Sequence, residues 1–291
     1  MNTFAVIGGD IRFIRVAQRL AQSGAKVTVA GLGGELKPSA NITVSSPEHA
    51  VKNSNFIILP LPVTVDKIHI NTPDTDKKIP LDIIYSNVKP NQMIFGGKMS
   101  EEFSNEISSC GAIPIDYLKR EDFAILNAIP TSEGAIAIAM QEMTKTIYQS
   151  KSLVTGYGRI SKILCRYLYA LGGEVTVAAR KTSDLVWAKS RGYNVVHIDD
   201  MLSNNERYDV IFNTVPSMIF DAKKLRSIDK ESVIIDLASK PGGIDFTVAK
   251  ELGLKVIWAL SLPGKVAPIS AGDIIYNTIM TIISERRANR E

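Results

Sequence analysis

Two cysteines, Cys110 and Cys165, are all that this chain of 291 residues carries. Neither belongs to a CxxC pair, so there is no zinc framework, and two lone thiols make no disulfide scaffold. Such scarcity fits a reducing compartment. Histidine is almost as rare: His49, His69 and His197 stand at no metal-ligand spacing, and His197 reads as structural. No Ser-His-Asp or Cys-His pattern offers a nucleophile. Charge of one sign is also lacking, with 34 Lys and Arg against 30 Asp and Glu. The basic tail Arg286, Arg287 and Arg290 therefore reads as a solvated helix end, and no nucleic-acid partner is expected. The N-terminus MNTFAVIGGD has neither the basic start nor the long apolar run of a signal peptide. No apolar run approaches the ~18 residues that span a membrane. A soluble, cytoplasmic protein with no metal and no membrane partner is the expectation. No low-complexity tract occurs.

What is present is a rhythm. Apolar residues make up 45% and charged residues 22%, as in a globular enzyme. Short apolar runs alternate with helix-patterned segments, which argues βαβ units and parallel sheets. In the first half, strands are expected at Phe4–Ile7, Lys26–Ala30, Phe56–Leu59, Gln92–Phe95 and Ala112–Pro114. In the second they fall near Ser152–Thr155, Glu174–Ala178, Tyr193–Val196, Val210–Asn213, Val233–Asp236 and Lys255–Ala259. The predicted fold is α/β: two Rossmann-like domains with parallel sheets, joined by a linker helix and a returning C-terminal helix. The first domain is placed at 1–130 and the second at 149–265. The linker helix is placed at 130–148, capped by Thr131 or Ser132 after Pro130, and the C-terminal helix at 270–288, packing between the domains.

The strongest motif is GYGRIS, beginning at Gly156. It follows the run SLVT and opens a helix, a close variant of the dinucleotide fingerprint G-x-G-x-x-G. Gly156 permits the tight turn, Gly158 lets a pyrophosphate approach the backbone, and the helix start at Arg159 and Ile160 offers N–H groups. Ser161 stands where a third glycine is usual. After the next strand an NAD site places a carboxylate for the ribose 2′-hydroxyl. Here Arg180, Lys181, Thr182 and Ser183 stand instead, a set suited to a 2′-phosphate and hence to NADP. Thr214, Val215 and Pro216 end the fourth strand of this domain, where a loop would line the cofactor or simply enter a helix. Lys240, in the following Gly-Gly loop, is a candidate for an anionic substrate. Leu262 and Pro263 are expected in an irregular loop near the nicotinamide.

In the first domain, Gly8 and Gly9 lack the dinucleotide spacing. Asp10 is a plausible helix cap, yet together with Arg12 at the helix start it makes a candidate site for a carboxylate ligand. Lys98, after Gly96 and Gly97, is a second candidate cation.

Six segments carry a resemblance: VIGGDIR, AILNAIPTSEGAIAIAMQ, GYGRIS, NTVPSMI, DLASKPGGIDF and LPGKVAPISAG. In this order, covering nearly the whole chain, they resemble the A subunits of dipicolinate synthase from spore-forming bacteria. GYGRIS is generic to dinucleotide binders; IPTSEG, NTVPSMI and DLASKPGG together are much more specific. The resemblance implies NADP-dependent oxidation of dihydrodipicolinate, derived from 4-hydroxy-tetrahydrodipicolinate, to dipicolinate during sporulation. It also implies a partner, the flavoprotein-like B subunit, and work in the mother-cell cytoplasm; a homo-oligomer is left open. The dicarboxylate would meet Arg12, Lys98 and Lys240 in a cleft that Thr131, Ser132 and Glu133 also face. Glu133 would accept a proton as the ring aromatises, or else serve as a first-turn acid favoured by the helix dipole. Two alternatives stand beside this reading: an NADP-dependent dehydrogenase of another amino or hydroxy acid, and a non-enzymatic NADP-binding regulatory subunit.

Overall fold

The computed structural model describes residues 2–33, 36, 40–203 and 206–289. Arg290 of the basic tail lies outside the described residues. The chain divides into two compact units, Met1–Leu126 with Ala267–Glu291, and Asn127–Val266.

In the first unit the order is β1 (Thr3–Ile7), α1 (Ile11–Gln22), β2 (Lys26–Ala30), β3 (Ile42–Val44), α2 (Pro47–Lys52) and β4 (Phe56–Ile58). Then follow β5 (His69–Ile70), β6 (Ile79–Pro80), α3 (Asp82–Asn87), β7 (Met93–Gly96), α4 (Glu101–Ser109) and β8 (Ile113–Asp116). The helix α5 (Glu121–Glu142) leads from the first unit into the second. The second unit continues with β9 (Lys151–Thr155), α6 (Arg159–Ala170), β10 (Glu174–Ala179), α7 (Thr182–Lys189), β11 (Asn194–His197) and β12 (Val210–Asn213). It ends with α8 (Ala222–Leu225), β13 (Val233–Asp236), α9 (Phe246–Glu251), β14 (Lys255–Trp258) and α10 (Leu262–Val266). The last helix, α11 (Pro268–Ala288), belongs to the first unit.

Each unit is built on a six-stranded parallel sheet. The strand orders are β3-β2-β1-β4-β7-β8 and β11-β10-β9-β12-β13-β14. Both are the doubly wound order, in which the chain reverses beside its first strand. Central strands are buried on both faces, so they read as continuous apolar runs. In β1, Phe4 and Val6 face one core with Phe13, Val16 and Ile275, while Ala5 and Ile7 face another with Ala50, Ile84 and Ile107. The second unit repeats this. Val154 packs with Leu164, Leu168 and Ala139, and Leu153 packs with Ile211 and Ile234 on the other side.

The strands read from the sequence are present within one or two residues, but β3, β5 and β6 were not anticipated. β5 and β6, of two residues each, leave no period to read. The linker helix differs more. It starts at Glu121 and ends at Glu142, with Pro130 inside it. Thr131 and Ser132 are therefore not caps: each hydroxyl donates to the carbonyl four residues back, of Asn127 and Ala128, at 2.8 Å. Glu133, mid-helix, is not a first-turn acid. The expectation that no apolar run reaches membrane length also needs correction. α5 contains an 18-residue stretch apolar enough to cross a membrane by length and composition, and half of it is buried within the protein. Ala135, Ile136 and Ala139 account for that character by packing in the second unit's core.

Within the first unit α11 lies along α1. Gly272 makes this possible, since a Cβ there would sit 2.7 Å from the Arg12 carbonyl and 2.7 Å from the Arg15 Cβ. Beside it, Arg15 forks onto Asp273 at 2.9 and 3.0 Å. Gly272→Ala should force the helices apart and destabilise the first unit by roughly 1–3 kcal/mol, the usual cost of overpacking. Urea denaturation checks this; an unchanged midpoint would show that the crossing has slack.

Candidate functional site

At the carboxyl end of β9 the chain turns through Gly156, at φ +82°, whose N–H donates to the Ala178 carbonyl at 2.8 Å. A side chain there would stand 2.9 Å from both Thr214 Oγ1 and Val215 Cγ2. The turn is thus pressed against the loop after β12, and only glycine fits. Ser161, wholly buried, locks this packing. Its hydroxyl bonds Thr214 Oγ1 at 2.8 Å, and Thr214 Oγ1 in turn donates to the Thr155 carbonyl at 2.8 Å. This explains the small polar residue in the third motif position. Tyr157 turns into the core, where burial pushes its phenol pKa up. Gly158 is different. Nothing lies within 4 Å of where its Cβ would be, and no side chain caps α6 there. By contrast, α1, α2, α4, α8 and α9 carry a Ser or Asp whose side chain accepts from the first turn. The start of α6 is a backbone surface open to an anion.

Beside it, Arg180 and Lys181 at the end of β10 are exposed, as is Thr182 at the start of α7. Arg180 makes no hydrogen bond or ion pair among the described residues. Thr214 and Val215 are half-buried and Pro216 is exposed. Sequence reasoning missed what holds this loop. Thr155, Asn213 and Asp236 end β9, β12 and β13 and are wholly buried. Thr155 Oγ1 donates to Asn213 Oδ1 at 2.6 Å, and Asn213 Nδ2 donates to Asp236 Oδ1 at 2.8 Å. Three polar residues closing three adjacent apolar strands were the available signal.

Other expected residues fare unevenly. Arg159 and Ile160 open α6 as expected. Lys240 is exposed on the loop after β13, next to a cis peptide bond to Pro241. Glu133 is exposed on α5. Thr131 and Ser132 are buried, with their hydroxyl protons spent on helix carbonyls. Neither is placed for proton transfer. The irregular loop expected at Leu262 and Pro263 is the helix α10. Both residues are buried, and the position of a Cβ on Gly134 lies 3.3 Å from Leu262 Cβ, so Leu262 packs on α5 rather than lining an open site.

The first unit looks alike in topology and is closed. Gly8 and Gly9 follow β1 at φ +69° and +102°. The segment around the β5–β6 hairpin covers them: Gly9 N donates to the Asn71 carbonyl at 2.8 Å, and a Cβ on Gly8 would meet Ile70 at 2.7 Å. A Cβ on Gly31 would collide with Ile79, and one on Gly33 with Asp74. The helix start is self-capped. Asp10 accepts the Arg12 N–H at 3.0 Å and takes its guanidinium on both oxygens, Nε at 2.8 Å and Nη2 at 2.7 Å. Arg12 Nη2 also donates to the Leu61 carbonyl at 3.1 Å. Asp10 therefore positions Arg12 rather than meeting a ligand, and Nη1 is the guanidinium nitrogen left without a partner among the described residues. Lys98, at φ +56°, is fixed by Asp116, which accepts its N–H and that of Met99 at 3.1 Å each; its side chain is exposed.

The family model described as the N-terminal domain of the dipicolinate synthase A subunit matches residues 3–118. The A subunit of dipicolinate synthase from Bacillus subtilis (strain 168) is 32% identical over 286 residues, 98% of this chain and 96% of that protein. The crystal structure of the Bacillus subtilis protein superposes with a TM-score of 0.89 at 30% identity, covering 99% of this chain and 97% of that one. That of the dipicolinate synthase A subunit from Bacillus halodurans gives 0.88 at 28%, covering 97% of each. A transhydrogenase from Sinorhizobium meliloti shares the fold at 15% identity, with a TM-score of 0.70 over 97% of this chain and 94% of that one.

The two motif glycines should respond oppositely to substitution. Gly156→Ala should cost roughly 2 kcal/mol or more, from positive φ and the collision with Thr214. Gly158→Ala, facing open space, should leave stability within about 0.5 kcal/mol. Thermal denaturation of both variants checks the contrast, and equal losses would show that Gly158 too is packed against protein.

Proposed function

The chain belongs to the family of dipicolinate synthase A subunits, and from that premise we propose that it oxidises dihydrodipicolinate to dipicolinate with NADP⁺ as acceptor. The observation that carries the cofactor half of this reading is the open backbone at Gly158 beside Arg180, a cation with no partner among the described residues. A diphosphate fits against the first, where no Cβ and no cap intrudes. A 2′-phosphate fits the second, since a guanidinium forks onto phosphate oxygens while Lys181 and Thr182 stand next to it. When bound, the nicotinamide ring would supply the hydride acceptor, chemistry that no side chain has to provide.

The residues of this chain do the rest. Thr214 and Val215 wall the turn, and the Ser161–Thr214 pair keeps that wall at fixed distance from α6. Arg12, pre-aimed by Asp10, and Lys98 are the proposed anchors for substrate carboxylates in the first unit, with Lys240 a third cation in the second. Asp10 lowers the reorganisation that Arg12 needs, because the guanidinium is already held in one orientation. Glu133 is the proposed acceptor of the proton released as the ring becomes aromatic. The same reading places the protein in the mother-cell cytoplasm during sporulation, working with a flavoprotein-like B subunit.

Two measurements test the proposal. Arg180→Ala should weaken NADPH binding about 10- to 100-fold, the loss of a charge-assisted phosphate contact, while NADH binding stays within about twofold. Equal effects on both nucleotides would remove the 2′-phosphate assignment. Steady-state turnover of dihydrodipicolinate should show that Arg12→Ala raises its KM about tenfold or more and leaves the NADP⁺ KM nearly unchanged. Turnover of an amino or hydroxy acid instead of dihydrodipicolinate would overturn the substrate.

A further inference from the structure

Beneath the loops of the second unit lies a buried carboxyl group with no cation partner among the described residues. Asp236, wholly buried, accepts three N–H groups: Asn213 Nδ2 at 2.8 Å and Ala238 N at 3.0 Å on Oδ1, and Gly243 N at 2.9 Å on Oδ2. No Lys, Arg or His pairs with it among the described residues. An unpaired carboxylate is expensive to bury, and here donors alone offset that cost. All three are donors, so they suit side-chain oxygens that act only as acceptors. An amide in its place would have to turn its NH₂ toward at least one of them.

The three donors belong to different pieces of the site. Asn213 ends β12, and its own Oδ1 accepts from Thr155 Oγ1 at 2.6 Å and from Val215 N at 3.1 Å. Ala238 begins the loop after β13, and Gly243 ends it. The Gly243 carbonyl accepts from both Ile219 N and Phe220 N at 2.9 Å, and a Cβ on Gly243 would collide with Asn213. One carboxylate therefore sets the loop 214–217 and the loop 238–243 relative to the glycine turn that follows Thr155. In a doubly wound sheet of this order, β9 to β11 form one mononucleotide half and β12 to β14 the other. Arg180 lies in the first half, so the second takes the nicotinamide end.

We propose that Asp236 is a positioning residue for the nicotinamide half of the dinucleotide, holding both loops in the bound arrangement before the ligand arrives. This rests on the nucleotide reading above. Its effect is preorganisation: loop ordering is completed on folding and does not weaken binding.

The test uses the full chain with two probes, NADPH and adenosine 2′,5′-bisphosphate, which carries only the adenosine end. Asp236→Asn should weaken NADPH about tenfold or more and leave the bisphosphate within about twofold. Trp258→Phe serves as a second variant should Asp236→Asn fail to fold. Trp258 Nε1 tethers the same loop by donating to the Ala238 carbonyl at 3.0 Å, and its loss should weaken NADPH a few-fold, again sparing the bisphosphate. Equal weakening of both probes, or a lowered melting temperature with NADPH affinity unchanged, would overturn the proposal and leave Asp236 a structural residue. Wild-type protein binding neither probe would overturn the nucleotide reading itself.

Discussion

The second unit depends on a turn that tolerates no side chain on one side and needs none on the other. Gly156 must lack a Cβ because Thr214 and Val215 already fill that space. Gly158 lacks one and nothing takes its place. The first fact makes the turn rigid and the second leaves it open. Under the proposed function, folding thus fixes the backbone in the form an anion needs, so that binding would not have to order it. The helix start is left without a side-chain cap, where the proposed function would seat the ligand.

The comparison between the two units gives this its force. Both sheets have the same strand order, and both place glycine after the first strand. Topology alone would assign two nucleotide sites. Side chains decide otherwise. In the first unit a carboxylate of the chain itself, that of Asp10, sits at the helix start, and Ile70 and Asn71 fill the space over Gly8. The same architecture has become a carrier for an oriented arginine. Its Arg12 is held by Asp10 and the Leu61 carbonyl, and under the proposed function it is this oriented guanidinium that meets a small anion.

Much of this was legible in the sequence because parallel strands buried on both faces announce themselves as apolar runs. β12 and β13 fall where the runs VIFN and VIID stand. The fingerprint GYGRIS and the cations that follow β10 were equally plain, since both rest on local spacing. What escaped were features set by distant partners. The hairpin β5–β6 is too short to show a period, and its role is to cover glycines far earlier in the chain. Pro130 suggested a helix start, yet the helix runs through it, and Thr131 and Ser132 return their hydroxyls to carbonyls one turn back instead of capping. Leu262 and Pro263 looked like a ligand loop and are core, since the small face at Gly134 calls for a neighbour. Asp236 could be read as a strand end but not as the centre of a network, because its partners come from separate segments.

Hydrogen exchange of the full chain with and without NADPH, resolved by peptide, tests the central claim most directly. The account predicts slowed exchange at 156–161, 180–184 and 213–217, and none at 8–13 or 69–74. Slowed exchange at 8–13, or none in the second unit, would contradict it.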